Sequence, residues 1–154
     1  MTTAWRIVKA KHQSDAFNGE GARLYGGRWN PRGTAVVYLS DSLALAALEQ
    51  FVHLGKAGSA LSFVVFEIVI PDGVATEALP QKQLPPNWRE EPPPDETKEI
   101  GTEWVHRNAA VALRVPSAII PNEGNYVINP AHADFGKLTI KPPVPFSFDP
   151  RMRK

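Results

Sequence analysis

Four side chains pair a chemically able group with a setting that ordinary surface or core use does not fully explain. Arg28 sits in Gly26-Gly27-Arg28-Trp29-Asn30. The paired glycines let the backbone turn tightly and approach a ligand closely. The guanidinium offers a rigid fork of donors suited to a phosphate or a carboxamide edge. Trp29 either holds the loop down or lines a pocket. An arginine exposed on a flexible loop would carry the same local sequence. Tyr38 lies near the end of an apolar run, where its ring can pack while its hydroxyl makes one hydrogen bond; plain core packing accounts for it equally well. Glu49 lies in Ala46-Ala47-Leu48-Glu49-Gln50-Phe51, an apolar context for a carboxylate. A buried charge is unfavourable unless paired. Glu49 therefore pairs with Arg28, faces a cation formed during a reaction, or marks the boundary of an amphipathic helix. Ser117 follows Pro116 between two apolar runs, where a hydroxyl commonly satisfies a local backbone group.

Other chemistries lack their residues. His53 stands one helical turn after Glu49, but no third ligand has convincing spacing, and His12, His106 and His132 are scattered, so no metal site is expected. Ser117 has no evident base beside it and no nucleophile-elbow motif around it. Neither a P-loop nor a GxGxxG fingerprint is present. There is no cysteine, which excludes disulfides and thiolate chemistry and suits a cytoplasmic setting. With 17 basic and 16 acidic side chains the net charge is +1, far from the excess expected of a nucleic-acid binder. RNA cleavage is disfavoured further because no His/Lys/Arg cleavage cluster is visible. The opening residues lack the apolar centre of a signal peptide, and no stretch approaches the about eighteen apolar residues of a membrane span.

A chain of 154 residues suits one domain over 1–154, with 15 prolines concentrated at 80–94 and in a tail from about 141. Residues 5–8 read as a first strand, and 11–33 as a long Gly-rich loop with little regular structure. Thr34–Leu39 reads as a strand. Ser40, Asp41 or Ser42 then caps a helix from Leu43 to Leu54 that Gly55 ends. Leu45, Leu48 and Val52 form its expected buried stripe, with Glu49 at the edge. Leu61–Ile70 is a dense strand, and 75–95 a surface meander. A helix follows from about Lys98 to Asn108, anchored by Ile100, Trp104 and Val105. Ala109–Val115 is a strand, broken by Pro116 and resumed over Ser117–Pro121. Residues 122–125 turn into Tyr126–Ile128, and Leu138–Ile140 is a last strand. Strands and helices do not alternate regularly, so an α+β fold with a bent mixed sheet is expected rather than a doubly wound one.

Five blocks together resemble the RES-domain family, toxins of bacterial Xre–RES toxin–antitoxin systems. They are residues 21–30 (GARLYGGRWN), 36–40 (VVYLS), 43–49 (LALAALE), 115–118 (VPSA) and 129–132 (NPAH). The likeness runs from about Trp5 to Leu138. The arginine, glutamate and serine that name the family correspond to Arg28, Glu49 and Ser117, and its site tyrosine to Tyr38. The resemblance implies a fold similar to ADP-ribosyltransferase and diphtheria-toxin-like catalytic domains. It implies NAD as substrate, with no further cofactor, and cleavage of its nicotinamide–ribose bond. Water, phosphate and a cellular protein remain alternative acceptors. On that reading Glu49 stabilises an oxocarbenium-like transition state. Arg28, with Trp29 and Asn30 beside it, grips the dinucleotide; Tyr38 stacks on nicotinamide or sugar; and Ser117 is a polar positioning group. The implied partner is an Xre-type antitoxin, with a toxin homodimer within the complex, and neither nucleic acid nor membrane. The opposing reading, a non-enzymatic binding module, needs Arg28 and Glu49 to pair structurally.

Overall fold

The computed structural model describes residues 1–154, the side chain of Lys56 excepted. Its strands are β1 (Thr2–Lys9), β2 (Val37–Ser40), β3 (Phe63–Ile70), β4 (Thr76–Ala78), β5 (Ala112–Pro116), β6 (Gly124–Ile128), β7 (Thr139–Ile140) and β8 (Val144–Phe146). Its α-helices are α1 (Glu20–Tyr25), α2 (Leu43–Gly58) and α3 (Asp95–Arg107). The strands join in the order β4-β5-β6-β2-β1-β3-β7, with β8 also on the outer edge of β3. β4 runs parallel to β5, whereas the other pairings are antiparallel, so the sheet is mixed, as expected for the α+β class.

The longest apolar run makes the centre. β3 pairs with β1 along its whole length, from Thr2 opposite Ile70 to Lys9 opposite Phe63. Its side chains are buried nearly without interruption because both faces are covered. Val64, Phe66 and Ile68 join Ala4, Val8 and Leu39 in one cluster. Phe63 and Val65 join Ile7, Ala46 and Phe148 in another, beside Leu43, Phe51 and Leu54 of α2. A third cluster brings Trp104 of α3 against Trp29, Val36 and Leu113.

The start of α2 follows the capping rule. Ser42 is extended (φ −135°, ψ 157°), and its side chain accepts from the Leu45 amide at 3.1 Å. At Gly55 (φ 69°) the regular helix stops, and a further turn runs on to Gly58. The buried stripe differs from the expected one. Leu45 is buried, but Leu48 and Val52 are 36% and 60% exposed. The residues that meet the sheet are Leu43, Ala46, Ala47, Phe51 and Leu54, since small alanines let the helix axis come close.

Four other expectations are corrected. The 11–33 segment carries a 3-10 turn (Ala10–Asp15) and α1, not only loop. The 75–95 meander contributes β4 to the sheet through its parallel pairing with β5. Residues 117–121 do not resume a strand, because the Ser117 hydroxyl accepts the Ile119 and Ile120 amides, both at 3.1 Å, and folds the segment on itself. The residues after 141 are not a loose tail. β8 pairs with β3, and Phe148, only 3% exposed, sits edge-on to Phe63 and Phe146.

Candidate active site

The site loop is built around a close approach. A Cβ at Gly27 would lie 2.8 Å from the Tyr38 hydroxyl and 2.9 Å from Asn30 Oδ1, so only glycine fits. The Tyr38 hydroxyl donates to Asn30 Oδ1 at 2.6 Å and accepts from the Trp29 amide at 3.1 Å. Asn30 is fully buried, and its amide donates to the carbonyls of Ala22, Pro31 and Thr34. It holds the loop from behind and does not line the cleft. Burial pushes the Tyr38 phenol well above its ordinary range, opposed by the Trp29 amide and the nearby Arg28 charge. The hydroxyl is therefore a neutral clamp, while the ring borders the cleft.

That cleft has a volume of about 870 Å³, inside the range of roughly 300–1,000 Å³ typical of ligand sites. Arg28, Trp29, Tyr38 and Glu49 all line it. The four come from a loop, a strand and a helix that the sheet gathers. Ser117 is fully buried behind Glu49 and donates to its Oε1 at 2.8 Å. The same Oε1 accepts from Asn125 Nδ2 at 2.8 Å. Among the described residues nothing hydrogen-bonds Oε2, so one carboxylate oxygen is held and the other is free for the cleft.

Arg28 does not pair with Glu49. Its guanidinium donates to the carbonyls of Trp88 and Glu90, at 2.9 and 2.7 Å, and to the Glu91 carboxylate at 2.9 Å. The proline-rich segment thus straps across Arg28, and Arg89, Glu91 and Pro93 reach the cleft wall. The binding-module reading, which needs an Arg28–Glu49 pair, has no such contact to rest on.

Arg6 is a cleft residue that the sequence reading passes over. Arg6 of β1 lines the cleft, donating to the Ala16 carbonyl at 2.8 Å and the Tyr38 carbonyl at 3.1 Å. Burial lowers its pKa to about 10, with Asp15 acting in the opposite direction, so it remains cationic at neutral pH. Alternation was the available signal, since Ala4, Arg6 and Val8 share one face of β1 and only Arg6 is polar. Arg6 and Arg28 place two guanidinium groups in a cleft whose lining also carries the carboxylates of Asp15, Glu20, Glu49 and Glu91. Among the described residues no three His, Asp or Glu side chains cluster to hold a metal ion.

Comparison with known proteins bears on this arrangement. A family model described as RES domain matches residues 3–149. The chain belongs to the RES-domain family. It is 40% identical over 150 residues to a Toxin Res of Yersinia enterocolitica, covering 97% of this chain and 98% of that one. It is 39% identical over 157 residues to the Prs ADP-ribosylating toxin of a Sphingobium species, covering 99% and 98% respectively. The fold is similar to a solved structure of the M. tuberculosis MbcT–MbcA toxin–antitoxin complex, with a TM-score of 0.79 over 99% of this chain and 86% of that one, at 22% identity. RES membership agrees with the five sequence blocks, and the cleft is where the blocks carrying Arg28, Tyr38 and Glu49 meet.

Proposed function

We propose that this RES-domain protein is the toxin of a toxin–antitoxin pair and that it cleaves the bond between nicotinamide and ribose in NAD. The observation that carries this reading is Glu49, a carboxylate with one oxygen clamped and the other free, in a cleft that also presents Arg6 and Arg28. Nicotinamide in NAD is a cation, so breaking the C1′–N bond leaves the electron pair on the ring nitrogen and releases neutral nicotinamide. Positive charge then develops on the ribose carbon, and a fixed carboxylate beside it lowers the barrier. Arg28 and Arg6 suit the two phosphates, and Tyr38 presents an aromatic wall. In hydrolysis, water adds to C1′ and one proton goes to solvent. No metal or second cofactor enters these steps. The toxin role draws on the names of the relatives, and an Xre-type antitoxin is the partner proposed.

A second reading is transfer of ADP-ribose to a cellular protein. It draws on the relative named as an ADP-ribosylating toxin. Product analysis separates the acceptors. Purified protein is incubated with NAD, with and without phosphate, and labelled NAD is added to cell extract. Nicotinamide with ADP-ribose indicates water, ADP-ribose 1″-phosphate indicates phosphate, and a labelled protein band indicates transfer. Glu49→Gln should lower kcat by about 10²–10³-fold, the size of effect seen when one group stabilising transition-state charge is removed. Folded wild-type protein that leaves NAD intact in every arm would refute the proposal.

A further inference from the structure

The proton inventory around Glu49 fixes more than its position. The Ser117 hydroxyl accepts two backbone amides, from Ile119 and Ile120, so its single hydrogen is committed to Glu49 Oε1. Asn125 supplies the second donor to that oxygen through Nδ2. An asparagine amide can turn over, but here its Oδ1 accepts from Ser40 Oγ at 2.8 Å. The carboxylate can only accept, so Glu49 takes the Nδ2 donor and leaves Oδ1 to the Ser40 hydrogen, which completes the pairing of the amide and holds it in place. Ser40 and Asn125 face each other across the β2–β6 ladder, where they are register partners. Ser40 is itself opposite Trp5 on β1. The relay is therefore anchored in the middle of the sheet rather than in a loop.

We infer that Asn125, oriented by Ser40, is a positioning residue for the Glu49 carboxylate: it acts with Ser117 to hold Oε1 and leave Oε2 directed to the reacting centre. This rests on the reading of Glu49 as the charge-stabilising group in NAD cleavage. Neither Asn125 nor Ser40 needs to touch the reacting bond, although both border the cleft.

The test is a double-mutant cycle with nicotinamide release as readout. Asn125→Ala should lower kcat by about 10- to 100-fold, as expected for a reacting group left ~1 Å out of place, with KM within about 2-fold of wild type because the phosphate contacts are untouched. Ser40→Ala should lower kcat less and lose its effect once Asn125 is Ala. In a Glu49→Gln background, Asn125→Ala should change the residual rate by less than about 2-fold, because its effect runs through the carboxylate. Asn125→Leu keeps the side-chain volume without the donor and replaces Asn125→Ala if that variant does not fold, as judged by thermal melting. A kcat unchanged in a folded Asn125 variant of an active enzyme would overturn the inference. So would an equal loss in the Glu49→Gln background. Wild-type protein that releases no nicotinamide would instead bring down the underlying reading, and that result is seen before any variant is compared.

Discussion

Gly101 tests whether the site loop is held in place by α3. Thr97, Gly101 and Trp104 form the fully buried stripe of that helix. A Cβ on Gly101 would lie 1.6 Å from the Trp29 carbonyl oxygen and 2.7 Å from its carbon. The obstacle is backbone, so no side chain can rotate out of the way. Two effects of Gly101→Ala oppose each other. Replacing a glycine in a helix interior by alanine stabilises by about 1 kcal/mol. Overpacking a tight contact destabilises by about 1–3 kcal/mol and sometimes more. A gap of 1.6 Å must open by more than its own length to reach ordinary contact at 3.4 Å, which puts the steric effect at or above the top of that range. The net expectation is a loss of about 2 kcal/mol, or about 4–8 °C in melting temperature for a chain of this size. The displaced carbonyl belongs to Trp29, the residue after Arg28, whose own amide donates to the Tyr38 hydroxyl. KM for NAD should therefore rise by about tenfold or more, since displacement of a binding group by ~1 Å is severe. Gly21→Ala is the control: its Cβ would meet nothing within 4 Å, so helix propensity acts alone and the variant should melt at or above wild type. Thermal melts and NAD kinetics on the two variants decide the matter. A Gly101→Ala protein as stable as wild type with unchanged KM would refute the proposed support of the loop by α3.

Two further outcomes follow from contacts around the cleft. Glu91 is 70% exposed and its ion pair holds Arg28 at the position where an anionic ligand would compete for it. Glu91→Gln should change stability by less than about 1 kcal/mol, and lower KM for NAD by up to about 5-fold; a raised KM would show that the strap orients Arg28 productively. Tyr38→Phe strands the Trp29 amide and Asn30 Oδ1, which should destabilise by about 1–3 kcal/mol at neutral pH. Because burial raises the folded-state pKa of Tyr38 above its ordinary value of 10.0, its contribution is intact below pH 10 and is lost above it as the unfolded chain releases that proton. Wild-type stability should then fall with pH more steeply than Tyr38→Phe, by about 1.4 kcal/mol per pH unit; denaturant titrations at pH 9 to 11 with equal slopes would contradict this.

What the sequence disclosed depended on whether the signal was local. Arg28, Tyr38 and Glu49 stand out as candidates from their own neighbourhoods, but only the resemblance lifts them above the surface-loop, core-packing and helix-boundary readings that fit them as well. The α2 cap at Ser42 was among three local candidates. Partners far along the chain were not legible: Glu49 receives its hydrogen bonds from residues 68 and 76 positions away, and Arg28 is held from 60 to 63 positions away. Periodicity misjudged α2 because it weights large aliphatic residues, whereas the packed face is centred on Ala46 and Ala47. Proline content misjudged the C-terminal segment. Proline is tolerated on an edge strand such as β8, and the alternating Phe146 and Phe148 carried the packing information. From sequence Asn125 is only a turn residue, since nothing beside it reveals Ser40 or Glu49.

The cleft divides into halves with different mechanical supports. The carboxylate is fixed by α2 and by two side chains flanking the β5–β6 connection, and Asp41 braces that connection by accepting from Arg114 and from the Gly124 amide. The cations are fixed by β1 for Arg6 and by a loop that α3 and the strap support for Arg28. This division suits the chemistry proposed. Charge developing on one ribose carbon requires a rigid stabiliser, because reorganisation during the step would forfeit its benefit. Phosphate binding is felt alike in the bound substrate and in the transition state, so a displaced guanidinium registers in affinity rather than in the chemical step. The halves should accordingly fail in different ways. Loosening the Arg28 loop through Gly101 should act mainly on KM, and loosening Glu49 through Asn125 mainly on kcat. If both variants moved the two parameters together, the supports would be mechanically coupled through β2, which carries both Tyr38, whose hydroxyl clamps the loop, and Ser40, which bonds Asn125.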